Sequence, residues 1–152
     1  MVGGGTDSAR RTALSTLARA TVDELSAAWD ALDGAPEMEM LRKPEHGLVM
    51  VRGRIGGGGA PFNLGEATVT RATVRLASGE VGIGHVLGRD AARALLVARF
   101  DALWQTARHR EVVEANVLAP VAARLAREDD ETRAETAATR VNFFTMVRGE
   151  DP

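Results

Sequence analysis

The stretch from Arg54 to Asp90, RIGGGGAPFNLGEATVTRATVRLASGEVGIGHVLGRD, decides the fold. Its centre alternates with a period of two. Ala67, Val69, Arg71, Thr73 and Arg75 share one side, while Thr68, Thr70, Ala72, Val74 and Leu76 share the other, the signature of a strand. Ser78-Gly79 signals a two-residue turn, and the next strand places Val81, Ile83 and His85 on one face. Gly82 and Gly84 share the opposite face, and a face without Cβ atoms predicts close approach by a helix, another strand or a partner. Upstream, the four glycines Gly56 to Gly59 allow positive φ, which suits a hairpin connection or a backbone that abuts another group. Downstream, Gly88-Arg89-Asp90 supplies a helix cap.

Working outward, Met38, Met40 and the run Leu48 to Val51 flank Pro44-Glu45-His46-Gly47, which reads as a turn and adds a further hairpin. An antiparallel sheet of about four strands is expected. Thr6 or Asp7 caps a first helix running through Ala20. Thr21-Val-Asp-Glu24 is a capping box whose helix carries Val22, Leu25, Trp29 and Leu32 on one stripe and stops near Gly34 and Pro36. On the other side, Ala91 to about Arg108 is apolar on several sides and predicts a largely buried helix. A bend at Arg108-His109-Arg110 leads to a short helix before Pro120, then to an Ala-rich helix from Val121 to about Thr139. Its middle, Arg127 to Arg133, is a solvated charged face. The expected class is α+β in one domain, 1–152: N-terminal helices, a small antiparallel sheet, C-terminal helices and an apolar tail. Residues 1–5 read as a disordered tail and residues 141–152 as an interface arm.

The composition removes several function classes. A chain of 152 residues with net charge −2 offers no electrostatic case for a nucleic-acid or membrane partner. The absence of Tyr, with aromatics at 4%, argues against a base-stacking platform. Without cysteine these residues supply no disulfide, thiolate ligand or iron–sulfur ligand. The N-terminal MVGGGTDSARR has no apolar signal core, so a cytoplasmic location is expected.

The glycine run is not a phosphate loop, because Gly59 is followed by Ala60-Pro61-Phe62 where Gly-Lys-Ser/Thr would be needed. A strand rather than a helix comes after it, which also excludes the dinucleotide fingerprint. His46, His85 and His109 show no metal-ligand spacing, and a lone histidine in a turn or strand usually serves as a hydrogen-bonded structural residue. Asp129, Asp130 and Glu131 are adjacent on a helix and do not converge on one site. No catalytic residue and no metal site is therefore assigned. The remaining group is Arg52, Arg54, Arg71 and Arg75. By strand periodicity 52 and 54 share one face and 71 and 75 another. If those faces coincide, four guanidinium groups gather near the glycines and suit an anion or a carboxylate-rich partner. The alternative is the ordinary polar side of a half-exposed sheet.

Four blocks, GLVMVRGRIGG (47–57), FNLGEATVTRATVRL (62–76), GRD (88–90) and FFTMVRG (143–149), together resemble the G subunit of the bacterial carbon–phosphorus lyase core complex. The likeness covers roughly residues 40 to 150. It implies a subunit that works with the H, I and L subunits to transfer an alkylphosphonate such as methylphosphonate onto the ribose of MgATP, with displacement of adenine. It further implies that MgATP is a substrate of the complex, that this chain binds no cofactor, and that iron–sulfur and S-adenosylmethionine chemistry belongs to the J subunit. The I subunit is the closest expected contact, and the tail residues Phe143, Phe144, Met146 and Arg148 are its candidate interface. Two other readings stay open: a free-standing homodimeric adaptor, and a small anion-binding enzyme using Arg71 as clamp and His85 as acid–base.

Overall fold

A computed structural model describes residues 4–139, with side chains from Asp7 onward. The described residues divide into two compact units between Ala122 and Ala123. Helix α1 spans Gly4–Arg19 and α2 spans Val22–Asp30. Thr21 caps α2 as expected: its hydroxyl accepts from the Glu24 N–H at 3.2 Å and the Glu24 carboxylate accepts from the Thr21 N–H at 2.8 Å. The sheet comes next, with β1 at Met38–Arg54, β2 at Pro61–Leu76 and β3 at Val81–Leu87 in the order β1-β2-β3, all antiparallel.

The α+β class is thus as expected, but the strand number among the described residues is three rather than about four. The reason lies at Pro44. Instead of turning, the chain runs on through Pro44-Glu45-His46-Gly47, and the register slips between Met40 and Arg42 and again between Arg42 and Glu45. Such irregularities leave extra residues outside the ladder, and β1 is an edge strand, so a proline without an N–H is tolerated there. The connection that does turn is the glycine run. Gly56 and Gly57 take φ of 59° and 80°, a region costly for any residue with a Cβ.

Helix α3, Ala91–Gln105, begins at Asp90, whose carboxylate accepts from the Arg93 N–H at 2.9 Å. It is the centre of the first unit, with Ala94, Leu96, Val97, Ala98, Phe100, Ala102, Leu103 and Trp104 all buried. It lies on the inner sheet face made by Thr70, Ala72, Val74, Leu76 and Val86. The two β3 glycines explain how closely it lies. A Cβ at Gly82 would stand 2.0 Å from the Ala98 carbonyl oxygen, and one at Gly84 would stand 1.9 Å from that of Ala94. Of the three readings open for the bare glycine face, a helix is the one found. Leu17 of α1 and Leu25 of α2 close the core, and Trp29 meets Phe100 edge to face at 5.6 Å between ring centres.

The bend comes slightly earlier than expected, at Thr106, which caps α4, Ala107–Val113. Pro120 does not interrupt the helical path. A wide π-type turn at Glu114–Leu118 leads directly into α5, Ala119–Ala138. The wider turn relieves the clash that a proline ring otherwise makes with the preceding turn and removes the need for its missing N–H. In the second unit, α5 continues from Ala123, and residues 126–139 are exposed, including the charged stretch Arg127 to Arg133. No helix among the described residues is long and apolar enough to cross a membrane.

Candidate functional site

Strand register decides what the four arginines can do together. Arg71 lies opposite Glu45, whereas Arg52 lies opposite Asn63 and Arg54 opposite Pro61. Asn63 and Arg71 are eight residues apart on β2, which at strand rise is roughly 26 Å. The structure therefore does not gather the four guanidinium groups. It separates them into one pair on the body of the sheet and one pair at the far end of the hairpin.

The body pair is already engaged. Arg71 Nη2 donates to Glu45 Oε1 at 3.1 Å, and Arg75 Nη2 donates to Glu39 Oε2 at 2.5 Å, each bridging β2 to the edge strand. Both pairs are substantially exposed, so each contributes at most about 1 kcal/mol. The Arg71 guanidinium lies over Gly47, where a Cβ would stand 3.2 Å from Nη2. Its Nε is shielded from solvent without a hydrogen-bond partner. His85 is the neighbour of Arg71 on β3, so a clamp-and-base pairing has the register it needs. The Arg71 side chain nevertheless reaches toward β1, away from His85. His85 instead borders a recess of about 320 Å³ shared with Arg11, Leu14, Ser15, Ile83 and Val97. Among the described residues no carboxylate lines that recess, so none of them there orients the imidazole as a catalytic base requires.

The far pair differs. Arg54 donates to the Gly59 carbonyl at 3.3 Å, and Arg52 makes no hydrogen bond or ion pair among the described residues. Phe143, Phe144, Met146 and Arg148 lie outside the described residues.

Two of the three histidines serve the fold. Thr70, fully buried, gives its single hydroxyl proton to the Gly88 carbonyl at 2.7 Å and accepts from the Asp90 N–H at 3.0 Å. His46 Nδ1, 3.0 Å from the same hydroxyl, must then be the donor. Thr106 repeats the arrangement, donating to the Leu103 carbonyl at 2.8 Å with His109 Nδ1 at 3.0 Å. Among the described residues no three His, Asp or Glu side chains come together as metal ligands.

One buried charged group is something sequence reasoning missed. Asp101, on the mostly apolar helix α3, is 1% exposed. Its carboxylate accepts from Arg10 Nε at 3.0 Å and Nη2 at 2.7 Å, and from the Ile83 N–H at 2.9 Å. The hydrogen bonding to Asp101, aided by the charge of that carboxylate, holds the Arg10 pKa above its ordinary value. Arg10 Nη2 and Gln105 Nε2 also donate to the Val81 carbonyl, at 3.0 and 2.8 Å. Side chains thus occupy the outer edge of β3, an edge that would otherwise invite another strand. An Asp in a mostly apolar helix with a distant Arg was the available signal, but only tertiary structure pairs residues 91 positions apart.

These features define a class: a small α+β protein whose polar groups mostly tie its own elements together and whose long hairpin carries unneutralised arginines. Sequence comparison gives the family. Residues 8–149 match the model for phosphonate metabolism protein PhnG, and the chain belongs to that family. It is also similar to the alpha-D-ribose 1-methylphosphonate 5-triphosphate synthase subunit PhnG of Rhizobium meliloti (strain 1021), with 66% identity over 142 residues, 93% of this chain and 90% of the relative.

Proposed function

We propose that this chain is the G subunit of an α-D-ribose 1-methylphosphonate 5-triphosphate synthase. It acts with the H, I and L subunits to place an alkylphosphonate such as methylphosphonate on the ribose of MgATP. A phosphonate oxygen bonds to the ribose carbon as the bond from that carbon to adenine breaks, and adenine leaves. The observation that carries this reading is the 66% identity spread over 93% of the chain to a relative bearing that name. Identity at that level across nearly the whole length supports a shared fold and a shared role as subunit.

Within this reading the chain's own part is structural and positional. His46 and His109 are spent on threonine networks, and no acid among the described residues lines the recess that His85 borders. Chemistry at the reacting centre falls to the partners, with the I subunit as the closest contact and the iron–sulfur and S-adenosylmethionine step assigned to the J subunit. Complex formation tests the assignment. Co-expressed with the tagged I subunit and with H, J and L, the full-length chain is expected to co-purify in fixed stoichiometry and to survive size exclusion in the complex. A chain that elutes alone under those conditions would overturn it.

A further inference from the structure

The β1–β2 hairpin extends well beyond the sheet that anchors it. Strand β3 pairs with β2 only from Val69 to Arg75, so residues 48–54 and 61–68 form a two-stranded arm with no third strand among the described residues. At strand rise the seven residues of β1 in the arm project roughly 23 Å. An isolated two-stranded hairpin is marginal in water unless something packs on it.

The arm's side chains are the wrong kind for water. Leu48, Val49, Met50 and Val51 are consecutive and all exposed, as are Ile55 and Leu64, with Leu48 at 62% and Ile55 and Leu64 each at 66%. Successive residues of a strand point to opposite faces, so four exposed apolar residues in a row mean that both faces of the arm are bare. A half-buried sheet would hide alternate ones. Every residue from Leu48 to Glu66 except Gly53 is exposed. The arm's own order comes from its ladder, from Phe62 lying over Gly53 at 3.3 Å from an added Cβ, and from the glycine turn.

Charge selects the occupant. From Leu48 to Glu66 there are two arginines, Arg52 and Arg54, near the tip, and one carboxylate, Glu66, opposite Met50 toward the arm's base. On the body of the sheet, by contrast, Arg42, Arg71 and Arg75 each have a glutamate. Two copies meeting tip to tip would oppose arginine to arginine. A different protein presenting an apolar groove with carboxylates at its rim would cover both faces and pair both guanidinium groups. We infer that the hairpin arm, residues 48–66, is the element by which this chain inserts into such a groove on a neighbouring subunit of the synthase. The inference rests on the subunit reading above and specifies where the contact lies.

The test uses the full-length chain co-expressed with the remaining subunits. Ile55→Asp and Leu64→Asp each put a carboxylate where an apolar contact is expected, and Arg52→Glu with Arg54→Glu reverses the tip charge. Each is expected to weaken co-purification about tenfold or more, with a thermal midpoint close to wild type because these side chains touch little of the body. Val112→Asp, an exposed apolar residue on α4, is expected to co-purify normally. Full co-purification of the arm variants alongside wild type would overturn the arm while leaving the subunit assignment standing, whereas failure of wild type itself would remove the assignment. Self-association of the isolated chain that the arm variants abolish would show a second copy as the occupant and overturn the inference. So would slow amide exchange of residues 48–54 in the isolated chain that becomes fast on deleting residues 141–152, since the arm would then be covered by the chain itself.

Discussion

At the scale of single residues, the tightest constraint is the missing Cβ at Gly82 and Gly84. An added methyl would meet backbone carbonyl oxygens of α3 at 2.0 and 1.9 Å, and backbone cannot rotate away as a side chain can. Gly84→Ala is therefore expected to cost ~3 kcal/mol or more, read as a lowered urea midpoint. A change below about 0.5 kcal/mol would show that α3 sits farther from β3 than described. Arg10→Ala leaves the Asp101 carboxylate buried with only one backbone donor from Ile83. Because Arg10 is itself partly solvated, the expected loss is about 2 kcal/mol, below the range for a fully buried pair. Arg71→Ala removes an exposed bridge to Glu45 and should change stability by no more than about 0.5 kcal/mol. A larger effect of Arg71→Ala on adenine release by the assembled complex than on unfolding would show that this arginine serves an anion or a partner. Equal activity would leave it a bridge between strands.

At the scale of elements, the parts governed by local rules were legible in the sequence. The capping box at Thr21, the Asp90 cap, the alternation of β2 and the glycine hairpin all arise from contacts within a few residues. Pro44 and Pro120 were misleading for a shared reason. Each proline signals a break when read locally, but an edge strand with register slips accommodates the first and a π-type turn the second. The candidate site was legible only in its residue types. Spacing places Arg52 with Arg54 and Arg71 with Arg75, but register, which separates the two pairs, depends on how far the hairpin zips. The run Leu48 to Val51 reads as part of a hairpin, and nothing local reveals that β3 is too short to cover it. The α2 cap gives this scale its prediction. Thr21→Ala should lower stability by about 1 kcal/mol through loss of the Glu24 N–H acceptor. Far-ultraviolet circular dichroism during urea unfolding reads it, and Thr21→Ser is expected to restore most of the loss.

At the scale of the whole molecule, the polar inventory looks inward and the apolar surplus looks outward. Asp101 with Arg10, Thr70 with His46, and Thr106 with His109 fasten helices and strands to one another. The hairpin meanwhile leaves large apolar side chains in water, which is the pattern of a chain completed by a partner. As the proposed subunit of the synthase, this chain is expected to be required for a reaction it does not perform by itself. Adenine release from MgATP and methylphosphonate measures that directly. No release above background is expected from the purified chain, and none from H, I and L without it, with release appearing when it is added back. Release by the chain alone, or undiminished release when it is omitted, would contradict the claim.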